Sequence, residues 1–230
     1  MPLYHSSAGG IGTGFVLHYG CCQVIKKRFS ASSWLEDVRN YKVTVVQYIG
    51  ELCRYVNNQP RSADDRINNI WLATGNGLSK EIWFDFQTRF EINKIIEFYG
   101  STEGNGAFKN TVLLENLKKG NLEGIGCIGK INPKQKPPTR FVKYDVDADC
   151  LLRNQDGKLI DCAFGEAGEC LMPINSADPT SSFVGYTDSK ASSKKLIRDS
   201  GIDYVRTGDM LSRNKKGWVK FVDRIGDTFR

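Results

Sequence analysis

Residues 43–57 read VTVVQYIGELCRYVN. The first six, VTVVQY, are dense in β-branched side chains, which predicts a buried strand over 43–48. Gly50 follows at once, and the pattern then predicts a helix from 51 to about 57. Strand, glycine and helix within fifteen residues is the opening of a β/α unit.

Working outward, the same order recurs. Residues 70–74 predict a second strand that ends on Gly75-Asn76-Gly77, and a helix over 80–90 follows with Ile82, Trp83, Phe86 and Phe90 on one face. Residues 94–98 return as a strand ending at Tyr99-Gly100. Upstream, 22–25 predict a short strand. Ser33 and Glu36 form an S-x-x-E capping box, which predicts a helix running to about 41. Strands alternating with helices at this spacing predict an α/β fold, a parallel sheet with flanking helices. The second half does not alternate. Residues 108–139 read as loop, with Pro133, Pro137 and Pro138 interrupting any helix. After Arg140, short strand candidates at 141–144, 169–172 and 218–222 are separated by turns such as Asp156-Gly157 and Lys216-Gly217. The expected organisation is therefore a sheet domain over 1–139 and a small β-rich, antiparallel subdomain over 140–230.

Composition sets the bounds. The chain has 230 residues, 40% hydrophobic, 25% charged and 11% aromatic, which is globular and neither disordered nor fibrous. A net charge of +6 is modest, and it indicates anionic ligands or a membrane surface no more than nucleic acid. The seven cysteines include no C-x-x-C pair, and with only two histidines, His5 and His18, a zinc or His-based metal centre is not expected. Reduced, mostly buried thiols are expected, as in a protein of the cytosolic side. No secretory signal opens the chain. The longest apolar stretch, 43–53, is broken by Gln47 and Glu51, far short of the ~20 residues a span needs.

In open parallel sheets, ligands sit outside the carboxyl ends of the strands. Three predicted strands end on unusual residues: Tyr48-Ile49-Gly50, Gly75-Asn76-Gly77 and Tyr99-Gly100-Ser101-Thr102-Glu103. If the strands are neighbours, their tips line one crevice. Glycine lets backbone approach a ligand closely, Tyr99 offers a ring for stacking, Thr102 a hydroxyl for phosphate, and Glu103 hard oxygen for magnesium. The plainer alternative for any single tip is a capped turn. Residues 124–129 satisfy G-x-G-x-x-G, but the prolines that follow deny the helix a dinucleotide site needs. Glycines 9, 10, 12 and 14 lack the Gly-Lys-Ser/Thr ending of a phosphate loop and are expected to let a helix pack closely on the sheet. The basic run Lys130, Lys134, Lys136, Arg140 and Lys143 reads as a solvated loop, with attraction to anionic lipid headgroups as the alternative.

These residues resemble the adenylate-forming enzymes, and within them the very-long-chain acyl-CoA synthetases, also called fatty acid transport proteins. The superfamily pattern is carried by 99–103 (YGSTE), Gly165-Glu166, 204–209 (YVRTGD) and Asp223-Arg224. The subfamily pattern is carried by 2–6 (PLYHS), 29–32 (FSAS), 47–55 (QYIGELCRY), 75–78 (GNGL), 97–105 (EFYGSTEGN) and 223–230 (DRIGDTFR). The resemblance implies part of the N-terminal domain of such an enzyme. It implies activation of a long- or very-long-chain fatty acid by MgATP to an acyl-adenylate, then capture by CoA as a thioester, coupled to fatty acid uptake. Glu103 would bind Mg2+ and Thr102 the phosphates. Tyr99 would stack on adenine, with Gly75, Asn76 and Gly77 along its edge. Asp209 would hold the ribose hydroxyls, with Arg224 assisting. His5, Tyr48 and Gly50 would border the acyl site, and Gly226 with Asp227 would form a hinge. A carboxylate suits paired ribose hydroxyls because it accepts from both at once.

The family's phosphate loop and its C-terminal domain with the catalytic lysine have no counterpart in these 230 residues, so the chain reads as an internal fragment, inactive as a ligase by itself. The resemblance also implies membrane association of the full-length protein, at the cytosolic face of the endoplasmic reticulum, peroxisome or plasma membrane, with no transmembrane segment in this chain. Two alternatives stay open: a non-enzymatic lipid-binding or transport role, and a truncated regulator without activity.

Overall fold

The computed structural model describes residues 3–101, 104–175, 178 and 181–226. The chain divides into two compact units, one made of Met1–Phe98 with Asn110–Gly126 and the other of Tyr99–Lys109 with Cys127–Arg230. The boundaries of these units fall at 98/99, 109/110 and 126/127.

In the first unit a π-helical turn, Ser7–Thr13, runs on into helix α1 (Gly14–Tyr19), which Gly20 ends in the left-handed conformation at φ 69°. Of the four glycines only Gly12 meets the sheet, where a Cβ would stand 3.2 Å from the Gln47 carboxamide oxygen; Gly10 faces open space, and Gly9 and Gly14 have only neighbours of their own segment. The Gln47 amide meanwhile donates to the Ser7 carbonyl (2.6 Å) and hydroxyl (3.0 Å). Residues 22–25 form no strand. Val24 and Ile25 are exposed with no strand beside them, and an apolar pair without a ladder has nothing to hold it extended. Helix α2 (Trp34–Asn40) forms where expected, but not through the expected capping box. Ser33 sits in the helical region (φ −97°, ψ −3°) with no cap bond, so its hydroxyl turns to Asp37 at 3.4 Å. A capping box does form at Ser62 and Asp65, opening the 3-10 turn Ala63–Arg66.

Strand β1 (Val45–Ile49), helix α3 (Gly50–Asn57), strand β2 (Leu72–Asn76), helix α4 (Lys80–Arg89) and strand β3 (Lys94–Tyr99) follow in the predicted order. The pairs β1/β2 and β2/β3 are parallel, as the alternation required. The stretch expected as loop begins instead with strand β4 (Phe108–Leu113), the sheet's other edge, and helix α5 (Leu114–Lys118). FKNTVL alternates buried and exposed with period two in the folded chain, but one of its inward positions is Asn110, so the sequence shows no apolar alternation to mark the strand. Trp83, Phe86 and Phe90 form the heart of the core with Val46, Tyr48 and Ile95. Arg89 is buried against Asp65 (2.7 Å) and donates to the carbonyls of Asn57, Gln59 and Pro60.

The second unit is antiparallel. Strands β5 (Gly129–Lys130), β6 (Arg140–Val142), β7 (Tyr144–Asp145), β8 (Cys150–Leu151) and β9 (Ala167–Pro173) precede helix α6 (Ser189–Lys195). Strands β10 (Leu196–Asp199), β11 (Ile202–Arg213) and β12 (Trp218–Arg224) complete it. The main sheet runs β5-β12-β11-β9-β6 with β10 also on β11, while β7 pairs with β8 alone. The fold is therefore mixed α/β, a parallel sheet with helices and a separate β-rich part. Among the described residues no helix is long and apolar enough to cross a membrane.

Candidate functional site

Each unit gathers its own share of the expected residues. In the first, the parallel register sets Tyr48, Gly75 and Glu97 side by side across three strands. The Tyr48 hydroxyl donates to Glu97 Oε2 at 2.6 Å, and the Leu78 amide donates to Glu97 Oε1 at 3.2 Å. Burial pushes the Glu97 carboxyl up from its ordinary 4.5 to about 7, against the pull of those donors. The Tyr48 hydroxyl is driven well above its usual value, by burial first and then by the neighbouring carboxylate, so the shared proton stays on tyrosine.

The glycines here are sterically required. A Cβ on Gly50 would overlap the Gly77 carbonyl and stand 2.8 Å from the Leu78 nitrogen. Gly77 itself has φ 78°, which favours glycine. Tyr48 also lines an open cavity of about 630 Å³, walled by Ile11, Phe15, Val24, Trp34 and Phe86 among others, a volume typical of small-molecule sites.

In the second unit Tyr99 and Asp209, 110 residues apart, are joined directly: the Tyr99 hydroxyl donates to Asp209 Oδ2 at 2.5 Å. Arg224 Nε donates to Asp209 Oδ1 at 3.2 Å from the partner strand, where Asp209 and Arg224 are in register. Burial, then the bond to Asp209, raises the Tyr99 hydroxyl far above its ordinary value. Asp209 is aimed by a bulge. Arg206 opposes Leu171 and Met210 opposes Glu169, so three residues of β11 stand against the single Cys170. Gly208 supplies the positive φ of 76° that this requires. The bulge is pinned from below. Glu169, fully buried, takes a forked pair from Arg206 (3.0 and 2.7 Å) and accepts the Gly208 amide at 3.3 Å. The Thr207 hydroxyl donates to the Cys170 carbonyl at 2.9 Å.

Not every expected residue finds a role in these clusters. Thr102, Glu103 and Asp227 lie outside the described residues. His5 is exposed, accepts the Ser7 amide at 3.2 Å, and is not among the cavity-lining residues. Gly226 has φ 91° and open space around it. Glu166 is occupied at the surface by Lys143 (2.9 Å) and the Ala163 amide. The basic run is only partly a solvated loop, since Arg140 is drawn in by Asp161 (2.8 Å) and Asp199 (2.6 Å). Glu97, Glu169 and Arg206 were missed as individual residues. Parity could have found Glu97, which shares the buried face of β3 with Ile95.

The comparisons with known proteins agree with this fold. A benzoate CoA ligase from Burkholderia xenovorans superposes with a TM-score of 0.70 at 20% identity, over 99% of this chain and 41% of that one. The O-succinylbenzoate coenzyme A synthetase of Bacillus subtilis, solved with ATP and a magnesium ion, gives 0.62 at 19% identity, over 100% of this chain and 41% of that one. The fold is that of the adenylate-forming enzymes. Residues 1–159 match the family of AMP-binding enzymes, and the chain belongs to that family. Among relatives, human long-chain fatty acid transport protein 1 is 41% identical over 100% of this chain and 35% of its own length. The medium/long-chain-fatty-acid–CoA ligase FadD6 of Mycobacterium tuberculosis is 38% identical over 100% of this chain and 36% of its own. The chain thus spans about a third of the length of the curated relatives it matches.

Proposed function

We propose that this chain is the part of a fatty acid–CoA ligase that binds the nucleoside and borders the acyl chain. The reaction would join a long-chain fatty acid to AMP from ATP, release pyrophosphate, and pass the acyl group to CoA. The observation that carries the reading is the Tyr99–Asp209–Arg224 constellation on the bulge of β11, in a chain of the AMP-binding family. A buried carboxylate with lone pairs to spare beside a tyrosine ring suits a ribose and its base. In this reading Gly75, Asn76 and Gly77 serve the nucleotide, Tyr48 and Gly50 border the acyl chain, and Gly226 belongs to a hinge. Mg2+ would enter with the ATP phosphates and be held by Glu103, supplying charge neutralisation. Among the described residues no group of three or more His, Cys, Asp or Glu is placed to hold a metal. The names of the relatives support a fatty acid as substrate, and association with the cytosolic face of a membrane is part of the same proposal.

Calorimetric titration of the full chain with AMP and with MgATP tests the nucleoside reading. Saturable binding that weakens in Asp209→Ala is expected, and absence of binding to the folded chain would overturn it. In a polypeptide of the relatives' full length that includes these residues, thioester formation from palmitate, ATP and CoA, lost in Glu103→Ala, separates a ligase from a carrier that only binds lipid.

A further inference from the structure

We infer that Glu97 is a positioning residue that ties the wall of the open cavity beside Tyr48 to the Gly77–Leu78 turn, so that what fills the cavity is felt at the turn. Only the identification of the turn with the nucleotide rests on the proposed function; the mechanical link stands on the geometry.

Strands in a sheet lie about 4.8 Å apart, so a side chain on β1 must cross roughly 10 Å to reach a partner on β3. Tyr48 makes that crossing because the residue between is Gly75, where a Cβ would stand only 2.6 Å from the tyrosine ring. One face of Tyr48 lines the cavity and its hydroxyl ends on Glu97. The other oxygen of the same carboxyl receives the Leu78 amide. The turn in turn abuts the first residue of α3, since Gly50 has no room for a side chain against Gly77. A carboxyl group is planar and rigid, and neither of its bonds can open in a dry interior without leaving a polar group unpaired. Cavity wall, carboxyl and turn therefore shift together. No cation pairs with Glu97 among the described residues, and Cys53 of α3 is the other titratable group that its charge reaches. A buried acid without countercharge is a poor way to add stability, which favours a role in placing its neighbours.

Amide hydrogen exchange on the full chain, read over residues 75–82, tests the link. The variants are Tyr48→Phe, Glu97→Gln and Glu97→Ala, each with and without dodecanoate. Removing the tyrosine hydroxyl, which does not touch the turn, should speed exchange at Gly77 and Leu78 about tenfold, as for one lost bond to a charged group. Glu97→Gln should stay near wild type, because its amide oxygen can serve Leu78 while its NH2 serves the tyrosine oxygen. Dodecanoate should alter exchange at Leu78 in the wild type and not in Tyr48→Phe. Unchanged exchange at the turn in Tyr48→Phe, with faster exchange in Glu97→Ala, would reduce Glu97 to a fastener of the turn and overturn the inference. Should Glu97→Ala not fold, the double variant Tyr48→Phe/Glu97→Gln replaces it and must add nothing to Tyr48→Phe. The comparison without dodecanoate decides the link even if the chain binds no nucleotide, a result that would count against the ligase reading alone.

Discussion

Acidification should stabilise the first unit through Glu97, the reverse of the usual behaviour of a carboxylate. In the unfolded chain this group ionises at its ordinary 4.5; in the folded chain burial holds the proton on until about pH 7. Below 4.5 both states are protonated and the folded state enjoys the full benefit. As pH rises towards 7 the unfolded chain releases the proton first, so stability falls, and above 7 it levels off. A rise from 4.5 to about 7 corresponds to about 3 kcal/mol across that window. With a urea slope of about 2 kcal/mol/M, the midpoint should drop by about 1.5 M between pH 4.5 and 8. Trp83, fully buried beside Gln87 in the first unit, gives the fluorescence signal. Glu97→Gln has nothing to titrate there, and its midpoint should change with pH by that much less. Parallel midpoint curves for wild type and Glu97→Gln would refute the reasoning.

Gly50→Ala should destabilise the first unit by about 1–3 kcal/mol or more, because its methyl would meet the backbone of Gly77 and Leu78 rather than a side chain that can step aside; a wild-type urea midpoint would count against that packing. Arg89→Met strands the buried Asp65 and at least three carbonyls. A loss of about 3–5 kcal/mol is expected in denaturant unfolding, while a loss under about 1 would mean water replaces the guanidinium. On the nucleotide side, Asp209→Ala should weaken MgATP about 10- to 150-fold by calorimetry, one charged hydrogen bond's worth, and an unchanged Kd would remove Asp209 from the site.

The parallel sheet was legible because its first two strands each lead through glycine into a helix, and residues 94–98 repeat the apolar strand pattern after the second helix, ending at Tyr99-Gly100. β11 was not, although it is the longest strand, since Gly208-Asp209 reads as a turn until β9 and β12 are there to pair on either side of the bulge. The strand expected at 22–25 failed for the opposite reason, local pattern without a partner. Tyr99 and Asp209 could be picked out as chemistry-bearing residues, yet their mutual bond spans 110 residues and belongs to tertiary structure alone. Glu97 went unnoticed inside a motif read for its aromatic and glycine, though its place beside Ile95 on an inward face marks it as a residue with a reason to be buried.

That span of 110 residues has a consequence for how the protein is made. Ribosomes add about 5–20 residues per second, so roughly 5–20 s separate the emergence of Tyr99 from that of Asp209. Throughout that interval β1, β2 and β3 are available to pair, while the carboxylate that receives the Tyr99 hydroxyl is still unmade. The Tyr99–Asp209 bond can close only once β11 has formed its bulge. It therefore belongs to the late contacts of a chain that folds as it is made.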